Sequence, residues 1–329
     1  MDRIAVIVPT CRVESIKRFI ESWHFPKNCE LFIIEDYAKP TFPIIDFMAK
    51  STYEVINHRC WQDFEEEFGD DAWIFSKQTA GGCRSYGFWL AYKNKFDYIL
   101  TLDDDCLPFS DNKYEHEQFI QTHLDMINQS DSYWQWTTKE IKSRGVPYQN
   151  LGHRETLINM GFWRRNADLD GISQLIYGAR DLEPKILNPV MPGYYYPMCA
   201  MNLFFRVKAV PMMYFLLMGS KYNIDRFDDI WCGIVSKKIC DHLGYLVRAG
   251  KPSLIHERAS NVWINIEKEW TGLKMNEDFW KIIDKIDLKE KTIVGCYKEI
   301  AEVLKTQISS YYRKLGEAMG IWANLFITA

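Results

Sequence analysis

The sequence of 329 residues lacks the features that mark several common classes of protein. No two of its nine cysteines are spaced as C-x-x-C, so a zinc knuckle is not expected, and their irregular distribution favours free thiols in a reducing compartment. The apolar run at 4–8 is shorter than the roughly 7–15 residues of a signal peptide core, and the run at 212–218 is shorter than the roughly 20 residues of a membrane span. The chain is therefore predicted to be cytoplasmic, without a transmembrane segment.

The sequence also has no excess of positive charge. Lys and Arg number 40 against 44 Asp and Glu, which excludes binding of a polyanion through net charge alone and leaves a local basic patch open. No internal repeat and no Gly- or Ser-rich linker divides the chain. Hydrophobic residues at 47% and charged residues at 26% indicate a globular protein. Aromatic residues at 15% are explained either by a core of large side chains or by rings that stack on sugars or bases.

Strand and helix signals alternate in the first hundred residues. Buried strands are predicted at 4–8, 31–34, 72–75 and 98–102, with helices at 13–23 and 81–92. Further along, a strand is predicted at 200–207, a helix at 226–243 and a short strand at 245–247. This alternation predicts an α/β fold with a mostly parallel, Rossmann-like sheet flanked by helices. No G-x-G-x-x-G follows the first strand, which disfavours a dinucleotide site.

The carboxyl ends of these strands carry polar residues, and ligands of open α/β sheets bind at that edge. Pro9 and Thr10 end the first strand, Asp36 follows the second, and Asp103–Asp105 follow the strand at 98–102. Three adjacent carboxylates repel one another, and a hard cation such as Mn²⁺ or Mg²⁺ relieves the repulsion while leaving coordination positions for phosphate oxygens. The D-x-D pattern predicts Asp103 and Asp105 as metal ligands; an acidic turn that caps the next segment is the alternative.

Several other residues are candidates for the same site. His256, just past a predicted strand, is a candidate third metal ligand or a structural histidine. Arg12 and Arg84 are candidates for binding a diphosphate, or have surface roles. The acidic pairs Asp168/Asp170 and Asp228/Asp229 are candidates for catalysis, or cap helices.

The C-terminal part has the clearest periodicity. Apolar residues from Ile293 to Trp322 recur at steps of three and four, which predicts one apolar face of a long helix. This face packs against the body of the protein or forms an interface between two copies. We expect a catalytic domain at 1–275 and a helical appendage at 276–329.

Taken together, the motifs resemble those of one family, the reversibly glycosylated polypeptides, which include the UDP-arabinopyranose mutases. The matching segments are Ile7–Thr10, Cys83–Gly87, Asp103–Cys106, Arg144–Gly145, Gly161–Asp170, Pro197–Asn202, Arg226–Gly244 and His256–Asn261. The resemblance implies a GT-A-like fold, a UDP-sugar donor, a divalent metal at the triple aspartate and a sugar that becomes attached to Arg144. A second arginine that plant members carry seven residues later is replaced here by Leu151.

The resemblance implies a metal-dependent enzyme that interconverts the pyranose and furanose forms of a UDP-pentose. Because a guanidinium is a poor nucleophile, Arg144 needs a neighbouring carboxylate, with Asp168, Asp228 and Asp229 as candidates. The UDP-sugar is expected to be bound by residues after the strands, namely Pro9, Thr10, Arg12, Asp36, Arg84, Asp103 and Asp104.

Two alternatives stay open. The first is a glycosyltransferase that moves a pentose to a hydroxyl of a glycan, a protein or a hydroxylated DNA base. A nucleic-acid acceptor would require a basic groove, and the candidates to form one are Lys139, Lys142, Arg164, Arg165, Lys237 and Lys238. The second is a non-catalytic assembly subunit that oligomerises through the C-terminal helix.

Overall fold

The computed structural model describes residues 2–43, 53, 55–134, 137–138, 141–178, 180–257 and 261–327. Its strands are β1 (Ile4–Thr10), β2 (Cys29–Glu35), β3 (Ile56–Arg59), β4 (Tyr98–Leu102), β5 (Cys106–Leu107), β6 (Asp131–Ser132), β7 (His153–Arg154), β8 (Thr156–Arg164), β9 (Asn202–Arg206) and β10 (Leu246–His256). Eight of them form one sheet in the order β3-β2-β1-β4-β9-β8-β10-β5, and β6 pairs with β7 separately.

The large sheet is mostly parallel. β1 pairs in parallel with β2 and β4, β2 with β3, and β8 with β10, whereas β9 and β5 run antiparallel to their neighbours. Every residue of β1 is buried, as expected for a strand covered by helices on both faces. The α/β class expected from the sequence, with a mostly parallel sheet flanked by helices, is confirmed.

The helices surround this sheet. They are α1 (Val13–Ser22), α2 (Trp61–Phe68), α3 (Ala80–Lys93), α4 (Lys113–Asn128), α5 (Gly171–Tyr177), α6 (Asp228–Leu243), α7 (Val262–Asp284), α8 (Ile293–Lys305) and α9 (Ser310–Asn324). The helices predicted at 13–23, 81–92 and 226–243 are confirmed as α1, α3 and α6.

The prediction of a third strand at 72–75 is wrong. Residues 72–75 belong to a 3₁₀ helix, Gly69–Ile74, and its C-cap, with Ala72, Ile74 and Phe75 packed in the core. The actual third strand is β3, where only Ile56 is buried, so its sequence carries no apolar run to indicate it. A short apolar run does not by itself distinguish a strand from a buried helical turn.

The strand predicted at 245–247 is much longer than expected. β10 continues to His256, although Pro252 interrupts it and its register with β8 shifts between Ala249 and Ser253. The continuation matters because it carries His256 to the same edge of the sheet as the end of β4.

The prediction of a single long C-terminal helix is also wrong. The apolar series divides into α8 and α9, which pack on each other, and Ile308 between them is 97% exposed. The series packs against the body, since Tyr311 Oη donates to Leu217 O (2.7 Å) and Trp322 Nε1 donates to Pro211 O (3.1 Å). The expected domain boundary at 275/276 falls inside α7. Across the described residues, no helix is both long and apolar enough to cross a membrane.

Candidate functional site

The parallel strands bring the predicted site residues to one edge of the sheet. Thr10, Asp36 and Asp103 stand at the carboxyl ends of β1, β2 and β4, which are adjacent and parallel. β8 and β10 run in the same direction, because β4 and β8 both pair antiparallel with β9. Asp168, after β8, and His256, at the end of β10, therefore lie at the same edge.

Two arginines pair with the three adjacent aspartates. Arg84 forms an ion pair with Asp103, and its Nε also donates to Thr101 Oγ1 (2.9 Å). Arg12 forms an ion pair with Asp104 and reaches Asp105 Oδ2 at 3.2 Å. The cations that relieve the repulsion inside the triple aspartate are thus side chains of the protein.

Asp104 is the most deeply buried of the three aspartates. Its side chain accepts a hydrogen bond from Thr10 Oγ1 (2.7 Å) and is contacted by Arg12. Burial raises the pKa of Asp104, and the hydrogen bond and charge of Arg12 oppose that rise. Asp104 therefore anchors Arg12 at the end of β1.

Asp105 and His256 form the part of the site best suited to a metal ion. Asp105 Oδ1 is buried without a hydrogen-bond partner in the described part of the chain, and it lies 3.9 Å from His256 Nε2. The Nδ1–H of His256 donates to the carbonyl of Asn166 (3.1 Å), so Nε2 keeps its lone pair when the ring is neutral. An orphaned carboxylate oxygen beside an imidazole lone pair fits a divalent cation.

Asp105 and His256 are the only two of the expected ligands that lie together in this way. Within the described ranges, no group of three His, Cys, Asp or Glu side chains is arranged to hold a metal. Mg²⁺ commonly uses one or two protein carboxylates and takes its remaining ligands from water and substrate phosphates. Asp103, the other predicted ligand, is occupied by Arg84.

Asp228 and Asp229 begin α6 close to this edge. A Cβ on Gly81 of α3 would overlap the carboxylate of Asp228, so any other residue at this position would displace that carboxylate. Asp229 Oδ2 accepts a hydrogen bond from Ala200 N (2.9 Å). Burial and then the charge of Asp225 raise the pKa of Asp228 to about 6.

The second carboxylate of the pair has the higher pKa. Burial, then the charge of Asp228, and more weakly that of Asp168 raise the pKa of Asp229 to about 7. Both carboxyl groups therefore bind a proton more readily than an ordinary aspartate, which suits them to donate and accept protons. Asp168 is exposed, whereas Asp170 caps α5 by accepting from Ile172 N and Ser173 N (3.0 Å each).

Asp36 forms the opposite end of the site. Its Oδ1 accepts hydrogen bonds from Trp61 Nε1 (2.8 Å) and Gln78 N (2.9 Å). Burial raises its pKa to about 6. Pro9, also expected to bind the nucleotide, is buried in β1 opposite Ile34 and offers only backbone to a ligand.

The whole chain matches a known protein family. The family model described as "Reversibly glycosylated polypeptide" matches residues 1–329. The chain belongs to the reversibly glycosylated polypeptide family. It is 32% identical to "Probable UDP-arabinopyranose mutase 4" of Arabidopsis thaliana, over 98% of this chain and 89% of that protein. It is 30% identical to "UDP-arabinopyranose mutase 1" of the same plant, over 98% of this chain and 91% of that protein.

Among solved structures, "S. aureus TarS 1-349 in complex with UDP" is similar with a TM-score of 0.44 and 11% identity, over 99% of this chain and 72% of that one. The family resemblance stated from the motifs is confirmed by the family model and the curated relatives. The expectation that the chain is an enzyme is confirmed with it, since those relatives are named as mutases.

Arg144 has no described contact with the carboxylates of this site. It is exposed in the segment between β6 and β7, and no described residue forms a hydrogen bond or an ion pair with its guanidinium. That segment leads into β8 at its amino end, whereas Asp168 follows the carboxyl end of this nine-residue strand. The expected pairing of Arg144 with Asp168, Asp228 or Asp229 stays a prediction.

The basic residues named for a nucleic-acid groove are individually engaged. Arg164 pairs with Asp181 and Glu183, Arg165 with Glu257, and the buried Lys237 with Asp241, while Lys142 and Lys238 donate to backbone carbonyls. Lys139 and residues 258–260 of the His256–Asn261 motif lie outside the described residues. Whether these basic residues line a groove for an acceptor stays a prediction.

Four charged residues that the sequence interpretation missed also surround the site. Lys268 of α7 lies 3.8 Å from Asp225, and Glu269 accepts a hydrogen bond from Gly171 N (2.7 Å). Burial raises the pKa of Glu269. Arg226 adopts a left-handed backbone conformation (φ +68°) immediately before the carboxylate pair, a strained geometry for an arginine. The matched segment Arg226–Gly244 could have indicated Arg226, whereas nothing in the sequence of α7 singles out Lys268 or Glu269.

Proposed function

We propose that this chain is a metal-dependent UDP-sugar mutase that interconverts the pyranose and furanose forms of UDP-arabinose. The observation that carries the proposal is the pair Asp228/Asp229, which begins α6 close to the aspartates after β4 and whose pKa values burial raises to about 6 and about 7. The names of the curated relatives support the substrate and the reaction.

The ring interconversion needs a proton to move but none to be gained or lost. In the pyranose the oxygen on C5 closes the ring, and in the furanose the oxygen on C4 does so. One proton must therefore leave the hydroxyl on C4 and one must reach the oxygen on C5. Two neighbouring carboxyl groups, one protonated and one ionised, perform both transfers, and the passage of the proton from the second group back to the first restores the starting state. We assign these transfers to Asp228 and Asp229.

The bond between C1 and the diphosphate breaks first, and the oxygen on C4 then attacks C1 as its proton passes to the ionised carboxylate, which gives a bicyclic sugar with both oxygens on C1. The C1–O5 bond breaks as O5 accepts a proton from the protonated carboxyl group, and UDP then bonds to C1 of the furanose. An ionised carboxylate of the pair, with Asp168 nearby, stabilises the positive charge that develops on the sugar. UDP returns to the same carbon, so no water or acceptor is consumed. This route does not require a covalent bond to Arg144.

The charge balance of the site favours a divalent cation. Carboxylates outnumber cationic side chains at this edge: Asp36, Asp103, Asp104, Asp105, Asp168, Asp225, Asp228, Asp229 and Glu269 against Arg12, Arg84, Arg226 and Lys268. The diphosphate is itself anionic and would be repelled. Asp105 and His256 would hold Mn²⁺ or Mg²⁺, which when bound neutralises the leaving diphosphate.

The remaining predicted residues divide between the two ends of UDP. We assign the Asp36 carboxylate, which accepts hydrogen bonds from Trp61 Nε1 and Gln78 N on Oδ1 and also contacts Cys83, to an N–H of the uracil ring. Arg84 and Thr10 hold Asp103 and Asp104 in place and lie next to the diphosphate position. All nine cysteines are free, which agrees with the predicted reducing, cytoplasmic compartment.

The position of Arg144 favours one second candidate. A transferase that passes the pentose from UDP to an acceptor hydroxyl needs the same donor site and the same carboxylates but no sugar-carrying arginine. The acceptor would be a hydroxyl of a glycan, a protein or a hydroxylated DNA base.

One incubation distinguishes the two functions. The purified chain is mixed with UDP-arabinopyranose and Mn²⁺ without an acceptor, with an EDTA-treated sample in parallel, and the products are analysed by chromatography and intact mass. UDP-arabinofuranose formed only with Mn²⁺ supports the metal-dependent mutase. Unchanged donor or slow release of UDP, with no pentose adduct on the protein, supports the transferase instead.

A further inference from the structure

The contacts of Arg12 place a permanent positive charge beside the residues best suited to a metal ion. Its guanidinium is anchored on Asp104 and also reaches Asp105 Oδ2 at 3.2 Å. Burial lowers the pKa of Arg12, but the hydrogen bond and the charge of Asp104 raise it by more. The pKa therefore lies above its usual value, and the guanidinium stays charged. The side chain is 38% exposed, so it borders the open part of the site.

Asp105 has its two carboxylate oxygens in different surroundings. Oδ2 faces Arg12, whereas Oδ1 is buried without a hydrogen bond and faces His256 Nε2 at 3.9 Å. The main chain fixes this arrangement, because Glu257 N donates to Asp105 O (3.0 Å) and Asn166 Nδ2 donates to His256 O (2.9 Å). A dication on Oδ1 and Nε2 would share the carboxylate with the guanidinium and be repelled by it.

We propose that Arg12 is an internal counter-ion that competes with the divalent cation for Asp105 and is drawn onto the diphosphate when UDP binds. Arg12 keeps its anchor on Asp104 and gives up only the longer contact, with Asp105. This inference rests on the metal-dependent UDP site proposed above. It makes the metal and the nucleotide bind with positive cooperativity, since each removes an obstacle to the other.

This exchange of partners makes metal binding weak until UDP is present. In the free protein, Arg12 neutralises Asp105 and weakens its affinity for a dication. In the complex, the phosphate oxygens both ligate the cation and pair with Arg12. Arg12 is thus a positioning residue whose partner changes with the state of the site.

The test measures Mn²⁺ affinity by calorimetry on the full chain, without nucleotide and with saturating UDP. In Arg12→Gln we expect Mn²⁺ alone to bind at least about tenfold more tightly than in the wild type, and UDP to change that affinity much less. The matched control is Arg18→Gln, which removes an exposed positive charge that pairs with Glu257 on the same side of the sheet. Its Mn²⁺ affinity should equal that of the wild type.

Two results separate this inference from the proposed function. If the wild type binds UDP only with Mn²⁺, yet Arg12→Gln binds Mn²⁺ alone no more tightly, the counter-ion role is wrong and the metal site stands. If the wild type does not bind Mn²⁺ even with UDP, the metal site is wrong and the counter-ion role with it. Should Arg12→Gln fail to fold, Arg12→Met decides in the same way, because it also removes the charge beside Asp105: an Mn²⁺ affinity no tighter than that of the wild type contradicts the inference.

Discussion

Replacing Asp229 by asparagine tests the proposed proton exchange most directly. The amide has nearly the same shape as the carboxyl group, and its oxygen can still accept the hydrogen bond from Ala200 N. The change removes the group whose pKa is about 7 and leaves Asp228 without a partner for proton exchange. Since positioned acid–base groups typically contribute 10²–10⁴-fold, the interconversion rate should fall by about that factor.

The same substitution should stabilise the folded protein at high pH. The pKa of Asp229 rises from its ordinary value of 3.8 to about 7 in the fold, so the folded state binds this proton more tightly than the unfolded state. The free energy of unfolding therefore falls as pH rises from about 4 to about 7, and the penalty is complete above pH 7. At 1.36 kcal/mol per pKa unit the penalty is at most about 4 kcal/mol, because part of the carboxylate remains in contact with solvent.

The assay combines rates with urea unfolding between pH 5 and 9. Wild-type conversion of UDP-arabinopyranose, followed by chromatography at fixed Mn²⁺, should be greatest near pH 6.5 and decline on both sides, since one carboxyl group must be protonated and the other ionised. Asp229→Asn should be slow at every pH and more stable than wild type at pH 8. Asp181→Asn, at an exposed ion pair with Arg164, is the control and should change neither quantity. A variant at Asp229 that keeps more than a tenth of the activity and the wild-type pH profile would refute the assignment.

Three further predictions follow from single contacts. Asp105→Asn should weaken UDP binding in Mn²⁺ by at least about tenfold while leaving metal-free binding unchanged, as measured by calorimetry; equal loss with and without metal would contradict the metal role. Gly81→Ala should lower the conversion rate, and it should lower the free energy of unfolding by about 1–3 kcal/mol, since the new methyl group overlaps the carboxylate of Asp228. Unchanged kinetics would show that the carboxylate is free to move. Tyr311→Phe should cost about 1 kcal/mol in urea unfolding through loss of the hydrogen bond to Leu217 O, with the rate unchanged.

The sequence was sufficient to predict the edge of the sheet on which the site lies. Apolar runs followed directly by Thr10, Asp36 and Asp103 indicate strand ends, and parallel pairing places such ends together. The strand β3 carries no such signal because it has a single buried residue, Ile56. Likewise, steps of three and four continue across Ile308, although the chain turns there and begins a new helix.

The partners of the charged residues could not be predicted, because each pair joins distant parts of the chain. Arg12 and Asp104 are separated by 92 residues, and Arg84 and Asp103 by 19. The sequence interpretation assigned the arginines to the diphosphate and the aspartates to a metal, whereas in the structure they neutralise one another. Lys268 and Glu269 were missed for the same reason, since only the packing of α7 brings them to the site.

The placement of Arg144 separates two ideas that the family resemblance joins, namely attachment of a sugar to the protein and interconversion of its ring forms. Ring interconversion requires a leaving group, a carboxylate beside the developing positive charge and a proton that moves between two sugar oxygens. The proposed mechanism assigns all three to residues that follow β4, begin α6 and end β10. Arg144 has no described contact with them, and Leu151 stands where plant members carry a second arginine. The interconversion as proposed therefore needs no arginine adduct, and a sugar on Arg144 would be a separate event.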